Sequence, residues 1–271
     1  MEFFRAEKIS DRITRIFGVY REMMYLIEGD DKALLLDAGI GVGDLAAFVK
    51  TLTSKPVEVI VTHGHMDHTG GAPLFETVYM NAADLHISKD FSDNGTKAAI
   101  VKSITGITLT DDDFVVQTPV DYKSLEEGDT FDLGGVTVEM LALPGHTPGM
   151  ICPLIVEERA VLLGDGCNPT VFLFVEEALS VADYREQLLR FKESHWDKFD
   201  AVYLSHMLPS CDKVLLTEVV EVCDDILNRN VDDMPFEFLG KTYQIAKSID
   251  PTTLRRIDGK LGNIIYNVNT L

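Results

Sequence analysis

Apolar and polar positions change their period several times along this chain, and each change predicts an element. In "MMYLIEGDDKALLLDAG" two β-prone runs flank Gly29-Asp30-Asp31, which reads as a hairpin. "GDLAAFVKTLTS" then sets Leu45, Phe48, Val49 and Leu52 at helical spacing, with Pro56 as a stop. "VEVIVTH" predicts a short buried strand, and residues 82–125 read as helical and irregular. Strands resume in "TFDLGGVTVEMLALPGH", with a turn at Gly134-Gly135. "MICPLIVEERAVLLGDG" predicts another hairpin, turning near Glu157-Glu158-Arg159. "VADYREQLLRFKES" is an amphipathic helix, "FDAVYLSHM" a strand and "LTEVVEVCDDILNR" a second helix. Strand pairs interleaved with helices recur twice in the same broad order. That order predicts an α+β fold, a four-layer αββα sandwich of two mixed β-sheets flanked by helices.

No Pro/Gly/Ser-rich linker divides the chain. We therefore expect a catalytic domain over residues 1–230 and a strand-rich extension, residues 231–271, packed on the same domain as a sheet edge or an oligomer contact such as a homodimer's. Composition narrows the function classes. The chain has 271 residues, 46% of them hydrophobic, enough for a core without disulfide staples. Acidic residues outnumber basic ones 44 to 24, for a net charge of -20, which disfavours a nucleic-acid partner. The four cysteines form no C-x-x-C pair, and no apolar run approaches the roughly 18 residues of a membrane span. The expectation is a cytoplasmic protein with no membrane partner.

Candidate chemistry is concentrated in "THGHMDHTGG". Of seven histidines, three fall within six positions: His63, His65 and His68, with Asp67 among them. Imidazole and carboxylate suit zinc, iron or manganese, and the lack of Cys in the cluster argues against a closed structural zinc site. Gly64, Gly70 and Gly71 would let the backbone turn tightly there. His146 in "LPGHTPG", Asp165 in "VLLGDG" and His206 in "YLSHM" each follow a predicted strand. A lone strand-end histidine is usually a loop residue, and the short cluster alone could be a surface metal trap. His86 and His195 lie in helical surroundings and read as structural.

Taken together, these motifs resemble the ordered motifs of the metallo-β-lactamase superfamily, over about residues 10–225. The resemblance implies that family's αββα fold. It also implies that His63, His65 and His146 bind one metal, that Asp67, His68 and His206 bind a second, and that Asp165 bridges them. Asp37 in "LLLDAG" resembles the family's aspartate that braces the metal loop. Two divalent ions, zinc foremost with iron or manganese as alternatives, would supply a bridging hydroxide that attacks an ester-like bond of a small-molecule substrate: a thioester, ester or lactone. Asp67 and Asp165 are the carboxylates placed to orient that hydroxide or pass a proton. Substrate-binding residues are not readable. Glyoxalase II-like enzymes carry a helical C-terminal region for glutathione, whereas this tail is strand-rich. N-acyl homoserine lactonases share the metal motifs. The rival readings are a persulfide dioxygenase-like oxidoreductase with a single iron and a non-catalytic metal-binding sensor. "TVFLF", residues 170–174, reads as core or as an apolar pocket wall, and Cys167 as a buried structural thiol. Residues 91–125 read as a packed helix or a lid.

Overall fold

The computed structural model describes residues 2–89, 93–238 and 240–271. A seven-stranded sheet runs in chain order through β1 (Arg5–Lys8), β2 (Ile13–Phe17), β3 (Met23–Glu28), β4 (Ala33–Leu36), β5 (Val57–Ile60), β6 (Val78–Met80) and β7 (Lys123–Ser124). The β3–β4 hairpin forms across the Gly29-Asp30-Asp31 turn, with Tyr25 opposite Leu36. After β4 the pairing becomes parallel, because helix α1 (Leu45–Leu52) carries the chain back before β5 begins. Asp44 caps α1 by accepting the Ala47 N–H at 2.8 Å. Leu36 pairs with Ile60, so β4 and β5 end level with one another. All four residues of β4 are buried, which means both faces of that strand are covered.

A six-stranded sheet has the order β14 (Ser210–Cys211), β13 (Ala201–Tyr203), β11 (Ala160–Leu162), β10 (Ile151–Ile155), β9 (Thr137–Ala142), β8 (Thr130–Asp132). β11 and β13 are parallel, joined through α4 (Val181–His195), and Leu162 pairs with Tyr203. A four-stranded sheet joins β12 (Val171–Leu173) to β17 (Ile264–Tyr266), β16 (Lys241–Ile245) and β15 (Met234–Phe238). The strand-rich tail read from sequence thus pairs with a strand some ninety residues upstream. The remaining helices are α2 (Met66–Thr69), α3 (Asn94–Thr105) and α5 (Val214–Leu227).

By density of contacts the chain divides into two compact units, Met1–Met140 with Ile155–Glu157, and Leu141–Leu154 with Glu158–Leu271. In the first, Ile16, Met24, Leu26, Leu35, Val59 and Val61 pack with Leu45 and Val49 of α1. In the second, Tyr184, Leu188 and Phe191 of α4 and Leu216, Val219 and Cys223 of α5 close over Val161, Val171, Val202 and Ile264. Helix α4 buries Val181, Tyr184, Leu188 and Phe191, one stripe at helical spacing. Within residues 91–125, helix α3 buries Val101, which packs with Ile40, Val42, Leu109 and Phe114 in a core of its own. The packed-helix reading describes that part of the segment, and residues 91 and 92 lie outside the described chain. Among the described residues no helix is long and apolar enough to cross a membrane.

Candidate metal centre

Metal-ligand types follow strand ends because a strand fixes its last carbonyl and the next few residues inherit that position. In the first unit β5 delivers Thr62 and His63, both fully buried, and then turns through Gly64 and His65 into the single turn α2. Gly64, Gly70 and Gly71 are all outside the left-handed region, contrary to a requirement for unusual φ. The need is for room. A Cβ on Gly70 would strike the backbone of Ile40, and one on Gly64 would strike the Asp84 carbonyl. The side chain of Asp84, itself fully buried, accepts the Gly64 N–H at 2.9 Å and so holds the loop from behind.

Asp37 organises two imidazoles of this unit, those of His63 and His68. It follows β4 directly, is 1% exposed, and has a φ of 67°, a conformation that Asp tolerates better than most residues. Its Oδ1 accepts the Thr62 N–H at 2.8 Å. Its Oδ2 accepts the Thr62 hydroxyl at 3.1 Å and His68 Nδ1 at 2.8 Å. With its proton given to Asp37, the Thr62 hydroxyl can accept from His63 Nδ1, 3.2 Å away. One carboxylate therefore sets the tautomer of two rings, His68 directly and His63 through Thr62, and in both it leaves Nε2 as the basic nitrogen.

The donor spacings fit a metal. Two nitrogens about 2.0–2.1 Å from one tetrahedral ion are about 3.3 Å apart, and His63 Nε2 lies 3.1 Å from His65 Nδ1. His68 Nε2 lies 3.9 Å from Asp67 Oδ2. Lys97 of α3 is 1% exposed; burial pushes its pKa down, against the pull of the Asp67 charge.

In the second unit the register of β11 and β13 does the positioning. Asp165 and His206 each stand three residues beyond a paired position, Leu162 and Tyr203. They therefore emerge side by side, with His206 Nε2 3.6 Å from Asp165 Oδ2. His146 follows β9, and its Nδ1 donates to the Phe172 carbonyl at 2.8 Å, which turns Nε2 toward Asp165 Oδ2 at 3.8 Å. One carboxylate oxygen thus faces two imidazole nitrogens, a donor set of the type that suits a divalent metal. The buried Ser205 hydroxyl, beside His206, has no hydrogen-bond partner among the described residues.

Sequence reasoning missed Tyr184. This fully buried residue of α4 donates its hydroxyl to the Gly166 carbonyl at 2.6 Å. Its ring lies so close to Gly145 that no side chain fits there. It thus braces the loops of His146 and Asp165 at once. Tyr184→Phe should keep the ring packing and lose the hydroxyl contact, lowering metal affinity of the protein about tenfold. Chelator competition checks this, and unchanged affinity would make Tyr184 a packing residue only. Cys167 is fully buried, and burial pushes its thiol pKa well up. A structural thiol is the reading that fits.

Comparison with known proteins places the chain in a family. The family model described as the metallo-beta-lactamase superfamily matches residues 18–206, so the chain belongs to that superfamily. An atrochrysone carboxyl ACP thioesterase from a Cryptosporiopsis species is 28% identical over 171 residues, 59% of this chain and 45% of that protein. An acyl-coenzyme A thioesterase of Gallus gallus is 25% identical over 170 residues, 54% of this chain and 57% of its own. The chain spans about half the length of the curated relatives it matches. A metallo-beta-lactamase structure from Pontibacter korlensis superposes with a TM-score of 0.63 at 18% identity, covering 82% of this chain and 99% of that one. The fold is therefore the α+β sandwich of this superfamily.

Proposed function

We propose that the protein is a metal-dependent hydrolase that cleaves an ester-like bond, with a thioester as the preferred substrate. In this reading His63, His65 and His146 would hold one divalent ion and Asp67, His68 and His206 a second, with Asp165 as the carboxylate shared by both. The observation that carries it is the pinning of three imidazoles through Nδ1, on Asp37, on Thr62 and on the Phe172 carbonyl, which leaves Nε2 of each as the donor. Rings fixed this way hold their Nε2 lone pairs in place as ligation needs, since neither tautomer nor orientation can change without breaking a buried hydrogen bond.

Bound divalent ions would lower the pKa of a water molecule to near neutrality and polarise the substrate carbonyl. The chain's own part is to orient and to move a proton. Asp67 and Asp165 are the carboxylates available, and a carboxylate engaged with metal is a weak base and a weak proton donor. That suits a thioester. A thiolate departs without a proton, whereas an amide nitrogen must receive one. The thioesterase names of two relatives support the same choice.

The test is the metal content of protein purified without chelator, by plasma mass spectrometry, alongside hydrolysis of acyl thioesters, esters and lactones. Two ions per chain and thioester turnover lost on chelation are expected. One iron per chain, with no second ion taken up on reloading, would overturn the reading in favour of oxygen chemistry.

A further inference from the structure

The four-stranded sheet of the second unit has two unlike faces. Val171, Leu173, Ile264, Tyr266 and Ala246 point one way and are buried under α5 and its neighbours. The other face carries Phe172, Phe174, Phe236, Phe238 and Tyr243, grouped around Ile245 and Ile265. Strand alternation produces this split: Phe236 stands opposite Tyr243, and Phe172 opposite Ile265. The rings form one connected surface. Phe174 lies 4.3 Å from Tyr243 and 5.3 Å from Phe238 between ring centroids, and Phe172 lies 4.9 Å from Phe174. Phe172, Phe236, Phe238 and Tyr243 are only half-buried.

This face is tied to the metal ligands. β12 is an edge strand, and its outward-facing Phe172 carbonyl is the one that takes the His146 Nδ1 proton. The backbone of residue 172 fixes a metal ligand while its side chain opens the aromatic face. The surface thus begins at the residue whose carbonyl holds His146, a candidate metal ligand.

We propose that this aromatic face seats the apolar acyl group of the substrate and makes the enzyme selective for long or aromatic acyl chains. The inference rests on the hydrolase reading above. A neutral acyl chain is the occupant favoured over a second copy of the protein, because each chain carries a net charge of -20 and two copies meeting here would repel. A hydrocarbon tail gains the aromatic contact without that cost.

The experiment compares acetyl and decanoyl thioesters of N-acetylcysteamine on the metal-loaded wild type and on the double variant Phe236→Ala/Phe238→Ala, whose replaced rings are half-buried. Binding of decanol, which lacks the reacting bond, is measured in parallel by calorimetry. Wild-type kcat/KM should rise about three- to fourfold per added methylene until the face is filled. The variant should lose about 30-fold on the decanoyl substrate, stay within about twofold on acetyl, and lose decanol binding. Decanol binding lost in the variant, with no thioester turned over by either protein, would support the face and sink the hydrolase reading. Turnover indifferent to chain length and to the variant would overturn the face alone. So would a wild-type dimer that the variant converts to monomer in the ultracentrifuge.

Discussion

Asp165→Ala is expected to abolish turnover and to leave fewer than two metal ions per chain. Asp165 Oδ2 lies 3.6 Å from His206 Nε2 and 3.8 Å from His146 Nε2. Its removal takes a negative charge from the midst of the proposed ligand set. Asn168, whose amide nitrogen is 3.5 Å from Oδ1, carries no charge. Activity should fall by at least about 1000-fold. The metal-free fold should persist, because Asp165 stands on a loop three residues beyond β11 and fills no part of the core. Metal stoichiometry, kcat and the metal-free Tm together make the check. A variant that keeps two ions and full activity would remove Asp165 from the bridging role.

Replacing Asp37 should separate stability from ligation. Asp37→Ala strands the Thr62 N–H and the His68 Nδ1–H, both buried, and forces alanine into a φ of 67°. Each unsatisfied group costs about 1–3 kcal/mol and the backbone about 1–2 more. At roughly 2–4 °C per kcal/mol for a domain of this size, Tm should fall by about 10 °C or more. Asp37→Asn keeps the shape, the tolerance of positive φ and the Thr62 N–H acceptor. It presents an amide NH2 where Oδ2 received the Thr62 hydroxyl and His68. That variant should keep most of its Tm while losing about 10- to 100-fold in metal affinity. If both variants bind metal like the wild type, Asp37 does not govern the imidazoles.

Much of this was legible because strand ends have a local signature. Apolar runs stopping at His63, His146, Asp165 and His206 marked the ligand types, and "LLLDAG" marked Asp37. The supporting groups have no such mark. Tyr184 reads as one more apolar position on the buried stripe of α4, and nothing in the pattern reveals that its hydroxyl reaches Gly166, eighteen residues upstream. Asp84 sits in "AADLH", where a carboxylate is ordinarily solvated, yet it is wholly buried against the Gly64 amide. "TVFLF" offered a choice between core and pocket wall that strand periodicity makes a false one. Val171 and Leu173 go to the core, and Phe172 goes to the other face. Its partner strand begins at Ile264, a pairing too distant in sequence for any local window.

The state of the thiols gives the molecule a built-in reporter. Cys152, Cys167 and Cys223 are buried and Cys211 partly so. Burial raises all four thiol pKa values, those of Cys211 and Cys223 to about 12, so little thiolate exists at neutral pH. Alkylating reagents and mild oxidants therefore have almost nothing to attack at Cys152, Cys167 and Cys223 until the second unit opens. The rate at which those three buried sulfurs are labelled becomes a clock for that opening, readable in the presence or absence of metal and without any assay of catalysis.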